Sequence, residues 1–277
     1  MTIQLTEQEK KAGQRSCIAL DVPTVADGLN LADELSPFGF MYKVGKELHT
    51  SAGNEGINII REIYQRGGSV FLDLKLHDTP QTVYRAAKAC CVPGVHIFNL
   101  HISGGEKMCR EAIRGAYEAA TAQGAIQRGV IPPYVIGVTE LTSLSDEDLA
   151  EQGLGIKYDD LVMRRTELAR KWGLQGVVCP ANKAGGLEQR FGGDGFLFVT
   201  PGIEWGGKSG EGQKQLYTPD RAVQDCRNSI LVIGSAVTAA GNEYEKKDGK
   251  KVLVKQGTPE DRINTAYQIL QAMAPHV

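Results

Sequence analysis

Long hydrophobic runs are missing from this 277-residue chain. Its apolar stretches are strand-sized, far short of the ~20 residues that span a bilayer, so a membrane-crossing helix is not expected. Residues 1–15 are polar and lack the apolar core of a signal peptide, which predicts a cytoplasmic protein. A surplus of one charge is missing too, since 31 Lys and Arg stand against 33 Asp and Glu. That balance argues against a nucleic-acid or membrane-surface partner, and any anionic ligand must be gripped by a local site. Metal-ligand spacing is absent: Cys17, Cys90, Cys91, Cys109, Cys179 and Cys226 are scattered, with no Cys-x-x-Cys or Cys/His pattern. They read as free thiols of a reducing compartment, and no metal is expected.

Short apolar runs alternate with longer segments of helical period along the whole chain. The runs are 16–22, 40–45, 69–76, 95–101, 134–139, 176–179, 196–200 and 230–233, and candidate helices include 25–35, 54–66, 82–91, 106–121, 159–172 and 259–274. This is the pattern of βαβ units. An open Rossmann sheet is the main competitor, but no Gly-x-Gly-x-x-Gly follows the first run, where Leu20-Asp21-Val22-Pro23-Thr24 stands instead. Eight units in this length predict an α/β protein, a single (β/α)8 TIM barrel domain over residues 1–277. Residues 5–11 are expected to form a lead-in helix. The charged insertion 242–257 is expected to form a hairpin, with Asp248-Gly249 as its turn. A glycine-rich loop at 202–215 follows the seventh strand.

The most charged strand end is Asp73-Leu74-Lys75-Leu76-His77-Asp78. Residues i and i+2 of a strand share a face, which sends Asp73 and Lys75 one way and Leu72, Leu74 and Leu76 the other. A leucine face packs on helices, so the charges look into the barrel, where unpaired charge is costly. Barrel sites lie at the C-terminal strand ends, and phosphate commonly binds after strands seven and eight. Those positions hold Asp21, Lys43, Asp73, Lys75, Asp78, Asn99, His101, Thr142, Ser143, Pro201, Gly202, Gln213, Gly234 and Ser235. Asp21 and Asp78 each have a second reading as helix caps, and His101 one as a structural histidine.

The segment Asp73-Leu74-Lys75-Leu76-His77-Asp78-Thr79-Pro80-Gln81-Thr82 resembles the Asp-x-Lys-x-x-Asp-x-Pro-x-Thr signature of the orotidine 5'-monophosphate decarboxylases. Ala19-Leu20-Asp21, Lys43-Val44-Gly45, Asn99-Leu100-His101, Glu140-Leu141-Thr142-Ser143 and Val199-Thr200-Pro201-Gly202-Ile203 are similar to that family's other strand ends. The resemblance implies decarboxylation of orotidine 5'-monophosphate to uridine 5'-monophosphate without a cofactor. Lys75 would stabilise and protonate a carbanion at C6, with Asp73 and Asp78 fixing it. Lys43 and Asp21 would hold each other and the ribose, and Thr142 or Ser143 would read the pyrimidine edge. Pro201, Gln213, Gly234 and Ser235 would lie along the substrate. Asp78 and Thr82 would act across a homodimer interface.

One position departs from the pattern. Ser235 follows Gly234 where the family has a phosphate-gripping arginine, and a hydroxyl cannot match that charge-assisted fork. Lys208 or Lys214, with Gln213 and the amides near Gly234, are the expected replacements. Two further readings are a Mg²⁺-dependent sugar-phosphate lyase or synthase on the same barrel, and a nucleotide-binding homologue of weakened turnover. Thr79-Pro80, Thr82 and Thr142-Ser143 favour the nucleotide branch over the first. The intact Asp73, Lys75, Asp78, Lys43 and Asp21 set argues against the second.

Overall fold

A computed structural model of the chain describes residues 3–206, 217–247 and 250–277. Eight parallel strands close into a barrel in simple sequential order, β8 pairing with β1. They are β1 Ser16–Ala19, β2 Met41–Gly45, β3 Ser69–Leu76, β4 Val95–His101, β5 Tyr134–Val138, β6 Gly176–Val178, β7 Leu197–Thr200 and β8 Ser229–Ile233. The helices in chain order are α1 Glu7–Gln14, α2 Val25–Leu35, α3 Lys46–Asn54, α4 Ile59–Gln65, α5 Pro80–Cys90 and α6 Gly105–Thr121. They continue as α7 Asp146–Glu151, α8 Tyr158–Trp172, α9 Ala181–Phe191, α10 Pro219–Asp225, α11 Ser235–Thr238 and α12 Pro259–Met273. Among the described residues no helix is long and apolar enough to cross a membrane.

Local chemistry explains the ends of these elements. Thr24 accepts the Asp27 N–H at the start of α2, and Thr258 forms a reciprocal capping box with Asp261 ahead of Pro259 in α12. Each cap satisfies amides that a helix start leaves open, worth about 1 kcal/mol. The expected helix over 54–66 is instead two helices. The chain turns through Gly56 at φ 71°, and Asn58 caps α4 by accepting the Arg61 N–H at 3.0 Å. A left-handed residue interrupts a helix, and glycine takes that conformation without steric cost.

Strand alternation builds two cores. Cys17, Ala19, Phe71, Ile97, Ile136, Val138, Val178, Val199 and Val232 fill the barrel interior. The alternate residues, among them Ile18, Leu72, Phe98, Leu100 and Phe198, face outward onto the helices. Truncating an interior anchor such as Phe71 to alanine costs about 3–5 kcal/mol, the range for emptying a packed aromatic site. Above the apolar floor the interior turns polar: Lys43, Asp73 and Asn99 are all buried. All six cysteines are buried and unpaired. After β8 the insertion forms an antiparallel pair, β9 Glu243–Lys247 and β10 Lys250–Lys255, whose turn residues Asp248-Gly249 lie outside the described residues. Every side chain of β10 is exposed. Its two ends are tied to each other by the Gly257 N–H, which donates to Asn242 Oδ1 at 2.7 Å.

Candidate active site

The polar layer opens into a cleft of about 230 Å³ at the C-terminal strand ends. Seven of the sequence candidates line it: Asp21, Lys43, Asp73, Lys75, Thr142, Pro201 and Gly234. Lys43 comes from the inward face of β2, its Nζ 2.7 Å from Asp21 Oδ1 and 3.5 Å from Asp73 Oδ2. Gly45 leaves room for this pair, since a Cβ there would sit 3.3 Å from both Asp21 Oδ1 and Lys43 Nζ. Lys75 Nζ lies 2.7 Å from Asp73 Oδ1. One carboxylate thus bridges two ammonium groups, and burial of Lys43 and Asp73 would be prohibitive without that pairing.

Electrostatics fixes the charge states. Burial works against the Lys43 ammonium, but Asp73 and Asp21 outweigh it, and the lysine pKa lies above its ordinary value. Burial likewise works against the Asp73 carboxylate. Lys43 and Lys75, with hydrogen bonds from Lys75 and Asn99, outweigh it and hold the carboxyl below its ordinary range. Both groups are therefore ionised at neutral pH.

The backbone at Lys75 is not regular strand. The β3–β4 ladder pairs Leu72 with Phe98 and resumes only at Leu76 with Leu100, so residues 73–75 lie opposite Asn99 alone. Lys75 takes φ 50°, in the left-handed region, which costs a non-glycine residue about 1–3 kcal/mol. Its N–H donates to Asn99 Oδ1 at 2.7 Å, and Asn99 Nδ2 donates to Asp73 Oδ1 at 2.7 Å. Asp73 and Lys75 share a face as alternation predicts, but through a bulge held by a side chain of the next strand.

Other candidates fall elsewhere. Asp78 and Thr82 are exposed and outside the cleft, with Asp78 Oδ1 accepting the Thr79 N–H at 2.5 Å. The expected Asp73-Lys75-Asp78 clamp is therefore not closed within one chain, because the strand ends at Leu76 and carries Asp78 outward. Ser143 and Ser235 are not among the residues lining the cleft, and Ser235 is exposed at the start of α11. Gln213, Lys208 and Lys214 lie outside the described residues. His101, half-buried, has its ring centroid 5.4 Å from that of His77. Burial first, then His77, Lys75 and Lys46, push its pKa below the ordinary histidine value against the opposing pull of Glu140.

Two functional candidates were missed by sequence reasoning. Glu140, which lines the cleft beside Leu141 and Thr142, is buried and ion-paired with Arg165 of α8. Its Oε1 also accepts the Leu141 N–H at 3.0 Å, while Arg165 donates to the Thr139 carbonyl at 2.6 Å. Asn99 was noted as a strand end without a role. Among the described residues no three His, Cys, Asp or Glu side chains gather as a metal site.

A charged layer on strand ends, facing an open cleft above a packed apolar floor, defines an enzyme of the (β/α)8 barrel class. Comparison with known proteins gives the particular family. The chain belongs to the Orotidine 5'-phosphate decarboxylase / HUMPS family, whose sequence profile matches residues 14–247. The orotidine 5'-phosphate decarboxylase of Vibrio atlanticus is 40% identical over 227 residues, 82% of this chain and 92% of that protein. That of Moorella thermoacetica is also 40% identical, over 83% of this chain and 87% of its own length. The crystal structure of the Lactobacillus acidophilus orotidine 5'-phosphate decarboxylase superposes with TM-score 0.73 at 29% identity, covering 93% of this chain and 98% of that one.

Proposed function

We propose that this chain decarboxylates orotidine 5'-monophosphate to uridine 5'-monophosphate, the closing step of pyrimidine nucleotide synthesis, with Lys75 acting at C6. The observation that carries the reading is the Lys75 ammonium held 2.7 Å from a buried, ionised Asp73 in the cleft at the strand ends. Loss of CO2 leaves an electron pair on C6 that no cofactor in this scheme accepts. A fixed ammonium stabilises that charge as it develops and then delivers the proton. Asp73 keeps Lys75 oriented between turnovers. Lys43, locked to Asp21 at 2.7 Å, supplies ribose contacts from the neighbouring strand. Thr142, with Ser143 behind it, meets the pyrimidine edge, and Pro201, Gly234 and Ser235 border the phosphate end. Lys208 or Lys214 is proposed to replace the charge that an arginine at 235 would bring, with Gln213 and the amides near Gly234 and Ser235 adding hydrogen bonds.

Asp78 and Thr82 stand exposed beside the cleft without lining it. That placement supports a homodimer in which each chain lends them to its partner's site. The whole of 1–277 is read as one domain, with α1 as lead-in and β9–β10 as an appendage. Mg²⁺-dependent sugar-phosphate chemistry fits less well, because Asp21, Asp73 and Glu140 are each already ion-paired to a cation of the protein. The test follows the ultraviolet absorbance of orotidine 5'-monophosphate with purified protein and EDTA. Loss of substrate that disappears in Lys75→Ala supports the reading. A folded, dimeric protein that binds nucleotide without turnover refutes it, and turnover abolished by EDTA moves the chain to the metal-dependent branch.

A further inference from the structure

We propose that Asn99 is a positioning residue for the reaction, holding Lys75 in its left-handed backbone conformation and Asp73 in its orientation at the same time. The proposal rests on the reading of Lys75 as the group that acts on substrate.

Asn99 stands on β4 among the inward-facing residues, fully buried, with apolar Ile97 two residues before it on the same face. A primary amide in such surroundings is costly unless both ends are bonded. Here each end has one partner and the chemistry admits one orientation. The Lys75 N–H can only donate, so the amide oxygen must face it. The Asp73 carboxylate, held ionised by Lys43 and Lys75, can only accept, so the NH2 must face it. The two bonds, both 2.7 Å, are the shortest path between the Lys75 backbone and the carboxylate that pairs with the Lys75 side chain.

The pairing pattern explains why a side chain is needed there. With residues 73–75 lying opposite Asn99 alone, the Lys75 N–H is out of register with the ladder and is taken by the Asn99 oxygen instead. Asp73 Oδ1 accepts from Asn99 Nδ2 and Lys75 Nζ together, which leaves Oδ2 toward Lys43. Asn99 therefore sets two things that the catalytic ammonium depends on, the direction in which its side chain leaves the backbone and the plane of its carboxylate partner. A residue of equal size and no polarity would fill the space and set neither. Lys75 would then be free to relax to negative φ, carrying Nζ away from C6. Misplacement by about 1 Å is enough for a loss on the order of 10²-fold in rate.

The experiment measures kcat, KM and calorimetric affinity for uridine 5'-monophosphate in Asn99→Ala, Asn99→Ser and Asn99→Asp, each checked for folding by circular dichroism and thermal melting. For Asn99→Ala, kcat is expected to fall on the order of 10²-fold, with nucleotide affinity within a few-fold of the parent. Asn99→Ser, which keeps a hydroxyl able to serve one partner, is expected to lie between. Asn99→Asp supplies the distinguishing readout. It sets a second carboxyl against Asp73, and two such groups at hydrogen-bond distance share one proton. Its kcat is expected to recover relative to the parent as pH falls, a pH profile that a space-filling role would not produce. A kcat for Asn99→Ala within a few-fold of the parent, an equal loss of nucleotide affinity, or an Asn99→Asp profile parallel to the parent's would each overturn the proposal. A crystal structure of Asn99→Ala retaining positive φ at Lys75 would overturn it as well, whatever the substrate. Absence of turnover in the parent would instead defeat the decarboxylase reading.

Discussion

Removing Arg165 tests how the wall of the cleft is held. The Arg165 and Glu140 side chains are 13% and 10% exposed, so Arg165→Met leaves a carboxylate beneath the surface with its cation gone. Breaking a buried pair from one side costs about 3–5 kcal/mol, because the surviving charge has neither water nor partner. The hydrogen bond from Arg165 to the Thr139 carbonyl is lost with it. For a chain of this length the unfolding entropy converts that cost to a fall in thermal midpoint of about 5–9 °C. Glu140→Gln with Arg165→Met removes both charges and should recover most of the loss, since apolar or neutral replacement of a whole buried pair is close to neutral. The assay is urea unfolding of the parent, the two single variants and the double, read as a double-mutant cycle. Additive losses, with the double variant the least stable of the four, would refute the assignment of Glu140–Arg165 as a buried, mutually dependent pair. Activity gives a second reading: Leu141 and Thr142 follow Glu140 along the cleft wall, so the single variant should also raise KM.

Two further outcomes follow from the charge states. The depressed pKa of Asp73 gives a stabilising contribution that is complete above the ordinary carboxylate range and is lost as pH falls through the depressed value. The raised pKa of Lys43 acts in reverse, complete below the ordinary lysine value and lost as pH rises through the raised one. Asp73→Asn should accordingly be less stable than the parent near neutrality, with the gap narrowing under acid, and urea midpoints at about pH 7 and about pH 3 measure this. A gap that widens on acidification would contradict the pairing. His101, with its pKa lowered by burial and by His77, Lys75 and Lys46, contributes stability that is complete above the ordinary histidine value of about 6.5 and is lost as pH falls from there through the lowered value. Thermal midpoints should therefore drop less between about pH 7 and about pH 5 in His101→Gln than in the parent.

The sequence made the barrel legible because its eight strands are short apolar runs, six of them followed by a recognised segment of helical period. Asp73 was legible for a local reason, since alternation with Leu72 and Leu74 leaves it only the inward face. What escaped was set by partners distant along the chain. The left-handed Lys75 depends on Asn99, 24 residues away, and nothing within 69–76 announces a bulge. Arg164 and Arg165 are adjacent on α8, yet only Arg165 reaches Glu140, while Arg164 pairs at the surface with Glu167. Helical period alone cannot choose between them, because which arginine meets β5 depends on how α8 is rotated against the barrel. The helix α9 was missed because Gly185-Gly186 lowers its propensity. That Asp78 stands outside the cleft of its own chain was not legible either, because spacing does not show that the strand stops at Leu76.

The groups assigned to the chemistry sit on β2, β3 and β4, whose spacing is fixed by closure of the barrel, whereas the segments assigned to the ends of the substrate hang from the rim. A loop that lengthens after β5, β7 or β8 leaves the Lys43–Asp73–Lys75 geometry where it was. The exposed β9–β10 arm, joined near Asn242 and Gly257, is a visible instance of such growth. The molecule is divided into a rigid reagent and an adjustable grip, and selection can rework the grip, as at Ser235, without having to rebuild the reagent.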